Sequence, residues 1–228
     1  SSTYEHIRPE LVGNRQRVLL SDLSGRSNVT YKLKQHGLAD RLSEEARRDL
    51  LERIKQMEHQ GYDFETAEGT FELLVRQAAN PAFHGFDVVG YEVNTKLANG
   101  EETVTTASVV LRLQGNLQSA TAVGQGPVHA LDICLRQCLA SRYPAIADVR
   151  LVDYKVRVLG AKGGTESKVR VLVEWSDHER SWATVGISDN VIAASWHALV
   201  DALRLELIRL SEKQTQLPEL VEDYSWGV

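Results

Sequence analysis

Gly124-Gln125-Gly126-Pro127-Val128-His129-Ala130-Leu131-Asp132-Ile133-Cys134-Leu135-Arg136-Gln137-Cys138-Leu139 has a second version further along the chain. It is Gly186-Ile187-Ser188-Asp189-Asn190-Val191-Ile192, continuing through His197-Ala198-Leu199 to Leu203, Arg204 and Leu207. His129-Ala130-Leu131 with Leu135, Arg136 and Leu139 matches the later letters at an offset of 68, whereas Val123-Gly124 matches Val185-Gly186 at an offset of 62. Six extra residues are therefore expected between the last strand and the helix of the second copy. Each passage reads as a helix entered through a short loop: Gly126 precedes Pro127, which suits the first helical position, and the second helix runs from about Asn190 to Ser211.

Working outward, the period ahead of each helix changes from 3.6 to two. Phe86, Val88 and Tyr91 open one strand-like run. Ala107, Val109, Leu111 and Leu113 alternate with Ser108, Val110 and Arg112 in a second, and Leu117 to Val123 forms a third, with Asn99-Gly100 as the first turn. The pattern then restarts with Val149 to Leu159, a Gly-rich turn at Gly160 to Gly164, Lys168 to Trp175, the polar turn Ser176-Asp177-His178-Glu179, and Ser181 to Val185. Two βββα units, neither able to bury its own sheet face, predict one α+β domain with pseudo-twofold symmetry over residues 84–212. The apolar stripe Val191, Leu199, Leu203, Leu207 and Leu210 exceeds what one small sheet covers and predicts a homodimer.

Residues 39–83 read as a helical linker. From the N-cap Ser43, Ala46, Leu50, Ile54 and Met57 recur at helical spacing up to Gly61; a second helix, about Thr66 to Ala79, places Phe71, Leu74 and Ala78 inward and ends before Pro81. Residues 1–38, broken by Pro9, Gly13, Gly25 and Gly37, form an irregular arm, and 213–228 a polar tail. The chain of 228 residues is 43% hydrophobic and 25% charged, which excludes disorder and collagen-like folds. A net charge of −5 argues against a nucleic-acid partner. No apolar run suits a membrane and the first thirty residues carry no signal-peptide pattern, so the expectation is a cytoplasmic protein. Cys134 and Cys138, four apart on one helix face, read as reduced core thiols.

Several motifs carry a resemblance. Tyr4-Glu5-His6-Ile7, Pro9-Glu10-Leu11-Val12-Gly13-Asn14 and Ser21-Asp22-Leu23-Ser24-Gly25-Arg26-Ser27-Asn28 resemble the segment after the catalytic barrel in the citramalate synthase and 2-isopropylmalate synthase family. Gly61-Tyr62-Asp63-Phe64-Glu65-Thr66-Ala67 and Phe71-Glu72-Leu73-Leu74 are similar to the helical linker of the citramalate branch. Gly124 to Val128 and Gly186 to Ile192 resemble the two strand-to-helix loops of the family's regulatory domain. The resemblance implies a linker plus a dimerising regulatory domain that binds a branched-chain amino acid, isoleucine preferred, as feedback inhibitor. It also implies that the metal-dependent (β/α)8 barrel, which joins acetyl-CoA to a 2-oxo acid, is absent here. Nothing in the chain shows eightfold βα alternation. The divalent metal is expected in that barrel, no cofactor or metal in this chain, and this chain alone is expected to be inactive. The rival readings are 2-isopropylmalate synthase with leucine as effector, and a stand-alone homodimeric amino-acid-binding module.

The candidate effector residues are Gly124, Gln125, Gly126, Pro127 and Val128 in the first loop, Gly186, Ile187, Ser188, Asp189, Asn190 and Ile192 in the second, and Asp153 and Tyr154. A helix N-terminus with unpaired N–H groups suits the effector carboxylate, although ordinary capping explains the same letters. The resemblance departs at Gln125 and His129, where many family members carry acidic residues, so Asp153 or backbone carbonyls must receive the ammonium. By resemblance, Tyr4 reaches the partner subunit's barrel and assists there; an aromatic staple for the arm is the alternative. His6 is a weaker candidate in the same arm. His129 and His197 lack ligand partners at metal spacing and read as packed or surface residues. Gly160 to Gly164 lacks phosphate-loop spacing, and Ser176 to Glu179 is a solvated hairpin tip.

Overall fold

The computed structural model describes residues 42–81, 85–98, 102–160 and 167–222. Ser43 starts α1 (Glu44–His59), its Oγ accepting the Ala46 N–H at 3.1 Å. Gly61, at φ 102°, ends the helix in the left-handed region, and the Tyr62 N–H closes back onto the Met57 carbonyl at 3.0 Å. Helix α2 (Glu68–Ala79) follows. Its residues from Gly69 to Val75 are all buried, so it is apolar on two sides at once. Phe71, Leu74 and Val75 join Leu50, Ile54 and Phe64 in a small linker core, whereas Leu73 turns into the main core.

Two antiparallel three-stranded sheets follow, in the orders β1-β2-β3 and β4-β5-β6. The first holds β1 (Asp87–Ala98), β2 (Glu102–Leu113) and β3 (Asn116–Gly124), then α3 (Pro127–Ala140). After a 3-10 turn at Pro144–Asp148 come β4 (Arg150–Leu159), β5 (Lys168–Ser176), β6 (Ser181–Ser188) and α4 (Val191–Glu222). This is the expected α+β architecture of a doubled βββα unit behind a helical linker, and the described residues contain no barrel. Ala107, Val109 and Leu111 of β2 and Val171, Val173 and Trp175 of β5 are fully buried, facing α3 and α4 in one continuous core. The turn residues Asn99, Gly100 and Ala161 to Gly164 lie outside the described residues.

The internal repeat is real, but its register differs from the letter match. Ala107 pairs with Ala122 and Val171 pairs with Gly186, so both strands of the second copy stand 64 residues after the first. The helices start at Pro127 and Val191, also 64 apart, and no six-residue insertion exists. The buried helix positions Ala130, Cys134, Leu135, Cys138 and Leu139 then correspond to Ala194, Ala198, Leu199, Ala202 and Leu203. Even the bulges recur: register breaks at Val88/Gly90 and at Leu151/Asp153 leave Val89 and Val152 unpaired and exposed.

Two further details differ from the sequence reading. Gly186, Ile187 and Ser188 belong to β6, leaving Asp189-Asn190 as the turn, and α4 runs past Ser211 to Glu222. The apolar stripe that predicted a dimer is largely covered inside the chain, since Leu199, Leu203 and Leu207 are 0% exposed. Exposed apolar residues lie on the strands instead, at Leu97, Val104, Leu117, Val123, Val156 and Val158.

The linker is welded to this domain through β6 and α4. β6 is an edge strand, and α2 covers its open side: the Val185 N–H donates to Thr70 Oγ1 at 2.9 Å, beside Gly69, where a Cβ would stand 2.7 Å from the Ala183 carbonyl oxygen. Glu72 on α2 pairs with Arg209 on α4 at 2.5 Å and with Arg76 at 2.7 Å, and Arg76 also reaches Glu212. Arg209 lies 3.6 Å from Glu206, which Arg180 holds at 3.1 Å.

Candidate functional site

The two strand-to-helix loops are built differently. Gly126 caps α3 in an extended conformation, φ −173°, with no side chain capping the helix end and with Pro127 in the first turn. The one local closure is the Gln125 N–H donating to His129 Nδ1 at 3.3 Å. A Cβ on Gly126 would meet nothing within 4 Å, so the approach to this helix end is open. At α4 the corresponding donors are already satisfied. Asn190 Oδ1 accepts the N–H groups of Ile192 and Ala193 at 2.8 and 3.2 Å. Ser188 Oγ accepts the Asn190 N–H at 3.2 Å and lies 3.1 Å from Asp189 Oδ1. The first loop thus offers free N–H groups to an anion and the second offers few.

Gly124 and Gly186 have a packing reason of their own. A Cβ on Gly124 would lie 2.5 Å from the Ala130 amide nitrogen, and one on Gly186 would lie 1.9 Å from the Ala194 carbonyl oxygen. Both strands run against the first turn of their helix with no room for a side chain.

Asp153 and Tyr154 separate, because successive strand residues point to opposite faces. Tyr154 faces α4, its hydroxyl 2.7 Å from Ser195 Oγ; Ser195 donates to the Val191 carbonyl at 2.6 Å, so the tyrosine is the donor. Tyr154 is thereby placed with the second loop. Asp153 lies on the outer face and is engaged by Lys155 Nζ at 2.5 Å, which together with the Tyr154 N–H holds its carboxyl below the usual range. Val128 and Ile192 pack against the main core, whereas Ile187 turns towards Gly61 in the linker. Tyr4 and His6 lie outside the described residues.

Sequence reasoning missed a cleft of about 520 Å³ between the linker and the domain. Arg53 and Met57 of α1, Tyr91 of β1, and Trp196, Asp201 and Arg204 of α4 are among its walls. Tyr91 and Trp196 meet with ring centroids 4.8 Å apart. Burial raises the Asp201 carboxyl to about 7 against the pull of Arg204 and Arg53, and burial with the nearby Asp201 charge raises the Tyr62 phenol. Arg204 Nη2 donates to the Phe86 carbonyl at 3.0 Å and its guanidinium lies 5.1 Å above that ring. The available signal was a carboxylate in an otherwise apolar helical run, Ala198-Leu199-Val200-Asp201-Ala202-Leu203.

A doubled βββα domain with an open strand-to-helix loop and a docked helical linker defines a regulatory module, and comparison agrees. The family described as LeuA allosteric (dimerisation) domain matches residues 65–206, and the homocitrate synthase post-HMGL domain-like family matches residues 1–62. The chain belongs to the LeuA allosteric (dimerisation) domain family. It is 44% identical over 211 residues to an (R)-citramalate synthase of Geobacter sulfurreducens, covering 92% of this chain and 40% of that protein. The (R)-citramalate synthase of Aquifex aeolicus is 42% identical over 215 residues, with 93% and 40% covered. A 2-isopropylmalate synthase of Methanocaldococcus jannaschii is 25% identical over 203 residues, with 88% and 37% covered. The chain spans about 40% of the length of the (R)-citramalate synthases it matches.

Proposed function

We propose that this chain is the linker and regulatory portion of a citramalate synthase-like acyltransferase of the cytoplasm, binding isoleucine as feedback inhibitor and pairing as a homodimer. The observation that carries this reading is the identity gradient along one family: 44% to an (R)-citramalate synthase over nearly the whole chain, against 25% to a 2-isopropylmalate synthase. The parent enzyme would condense acetyl-CoA with pyruvate on a separate barrel. The divalent metal for that chemistry would belong to that barrel. The fragment alone is inactive on this reading.

The open end of α3 supports the effector site, with Gly126 leaving room for a carboxylate over the Val128 and His129 N–H groups. A second copy would cover the exposed strand residues such as Leu97, Val156 and Val158. Thermal shift tests the reading directly. Isoleucine should raise Tm, by about 2.7 kcal/mol of stabilisation at a hundred times Kd, leucine less, and isoleucinol, lacking the carboxylate, not at all. A larger response to leucine would favour the 2-isopropylmalate synthase reading, and a response to neither would refute the sensor. A monomer by light scattering at micromolar concentration would refute the dimer.

A further inference from the structure

Helix α1 meets the rest of the described chain chiefly at its C-terminal turn and along one apolar face. The turn is pinned to β5, where Arg170 Nη1 donates to the Gly61 carbonyl at 3.1 Å and stands 3.7 Å from Asp63. The apolar face sets Leu50 and Ile54 among Phe71, Leu74 and Val75 of α2, a contact without directional bonds that lets one helix roll on the other. A third face carries Arg53 and Met57, one helical turn apart, over the cleft of about 520 Å³. Across that space stand Tyr91 of β1 and Trp196, Asp201 and Arg204 of α4.

Two cations act on the Asp201 carboxyl, both through charge alone and neither at ion-pair distance. They differ in freedom. Arg204 is fixed, its Nη2 on the Phe86 carbonyl at 3.0 Å and its guanidinium 5.1 Å above the Phe86 ring. Arg53 is exposed on α1 and moves with that helix. We propose that α1 is a hinged arm whose angle to the domain follows the charge on Asp201: when the carboxyl ionises, α1 swings across the cleft about the turn at Gly61 to Asp63 until Arg53 pairs with it, and when the acid is neutral α1 swings back. The pair forms only as the cleft narrows, so ionisation and closure are one event. Burial disfavours the charge and keeps the proton on Asp201 up to about pH 7 in the open arrangement, which sets the device to work near neutrality.

The groups facing Asp201 are Arg53 on α1, Tyr62 in the linker turn, Tyr91 on β1, and His197 and Arg204 on α4, with Asp87 of β1 acting on Arg204. The two arginines stay charged, and burial with the Asp201 charge raises the Tyr62 phenol, so neither kind of group switches near neutrality. His197 is the neighbour whose titration has to be separated from that of Asp201. An ion pair reserved for the ionised acid also lowers the pH at which the acid ionises, because coupling between two events is reciprocal. The swing of α1 would reorient the residues ahead of it, giving the linker a pH-dependent geometry with no ligand bound. The device is separate from the loop at Gly126 and does not rest on the effector reading.

The test is a pulsed electron-spin distance measurement on the full chain between nitroxides at Glu45→Cys of α1 and Glu92→Cys of β1, at pH values either side of neutrality. Both positions are exposed, and Cys134 and Cys138 are buried. The distance should shorten as pH rises, with its midpoint near 7. Asp201→Asn should hold the long distance at every pH. Arg53→Gln should do the same, whereas Arg53→Lys, which keeps the charge, should restore the shortening, and His197→Gln should leave it in place. Arg53 is exposed, so its variants keep the fold, which far-ultraviolet circular dichroism verifies. A distance that ignores pH or lengthens as it rises overturns the proposal, as does a transition that survives Asp201→Asn or is lost in His197→Gln.

Discussion

Gly186 and Ala194 approach so closely that a Cβ on the glycine would sit 1.9 Å from the alanine carbonyl oxygen. The neighbour is helix backbone, which cannot rotate aside, so Gly186→Ala must push α4 off β6. The expected cost is at least about 1–3 kcal/mol, the range for overpacking a core. Gly126→Ala, with nothing within 4 Å and an extended φ, should change stability by less than about 0.5 kcal/mol. Urea unfolding of the two variants separates the roles, and equal effects would refute the packing account.

Glu72 and Arg209 form an ion pair with side chains 7% and 8% exposed, joining the linker to α4. Glu72→Ala leaves the buried Arg209 charge beside Trp182, whose ring lies 5.0 Å below it, with Glu206 at 3.6 Å as its remaining carboxylate, and should cost about 1–3 kcal/mol. Replacing both partners by leucine should recover most of that loss. Equilibrium denaturation of single and double variants checks this; a double variant as unstable as Glu72→Ala would show that the pair contributes more than mutual neutralisation.

The elements were legible because local chemistry marks them: Ser43 caps, Gly61 stops, Pro127 starts, and Ala107 to Leu113 alternate. The repeat was legible but misaligned, for a physical reason. Letter matches track which face a residue occupies, and a helix regains its face after about four residues and a strand after two. The apparent offsets of 68 and 62 are the structural offset of 64 displaced by one helical turn and by one strand period. The loops could be named by resemblance, and the local signal that tells the open end from the self-capped one is the cap residue itself, since Gly126 has no side chain and Asn190 has an amide oxygen that accepts the helix N–H groups. The cleft was invisible because Arg53 and Asp201 lie 148 residues apart and only the docking of α2 brings their helices together.

Cys134 and Cys138 are 0% and 3% exposed, and Cys134 Sγ lies 3.2 Å from the Ala107 carbonyl oxygen. Burial pushes the Cys138 thiol up to about 11 and raises that of Cys134, so thiolate is scarce at neutral pH. An aromatic disulfide reagent at pH 7.5 should label neither thiol in the folded protein and both in urea. Labelling at the rate of a free thiol without denaturant would contradict the core assignment.

Asp201 predicts an unusual pH dependence of stability. Its carboxyl titrates near 7 in the folded chain against the ordinary 3.8, chiefly because burial disfavours the charge. Between those values the folded state binds more protons than the unfolded one, so this group lowers stability as pH rises from about 4 to 7, and the penalty is complete above 7. Asp201→Asn keeps the shape and removes the charge. It should match the natural chain near pH 4 and exceed it by a few kcal/mol, on the order of 2–4, at pH 8. Thermal melts of both proteins from pH 4 to pH 8 measure the difference directly. Parallel profiles would mean that Asp201 ionises normally in the folded chain.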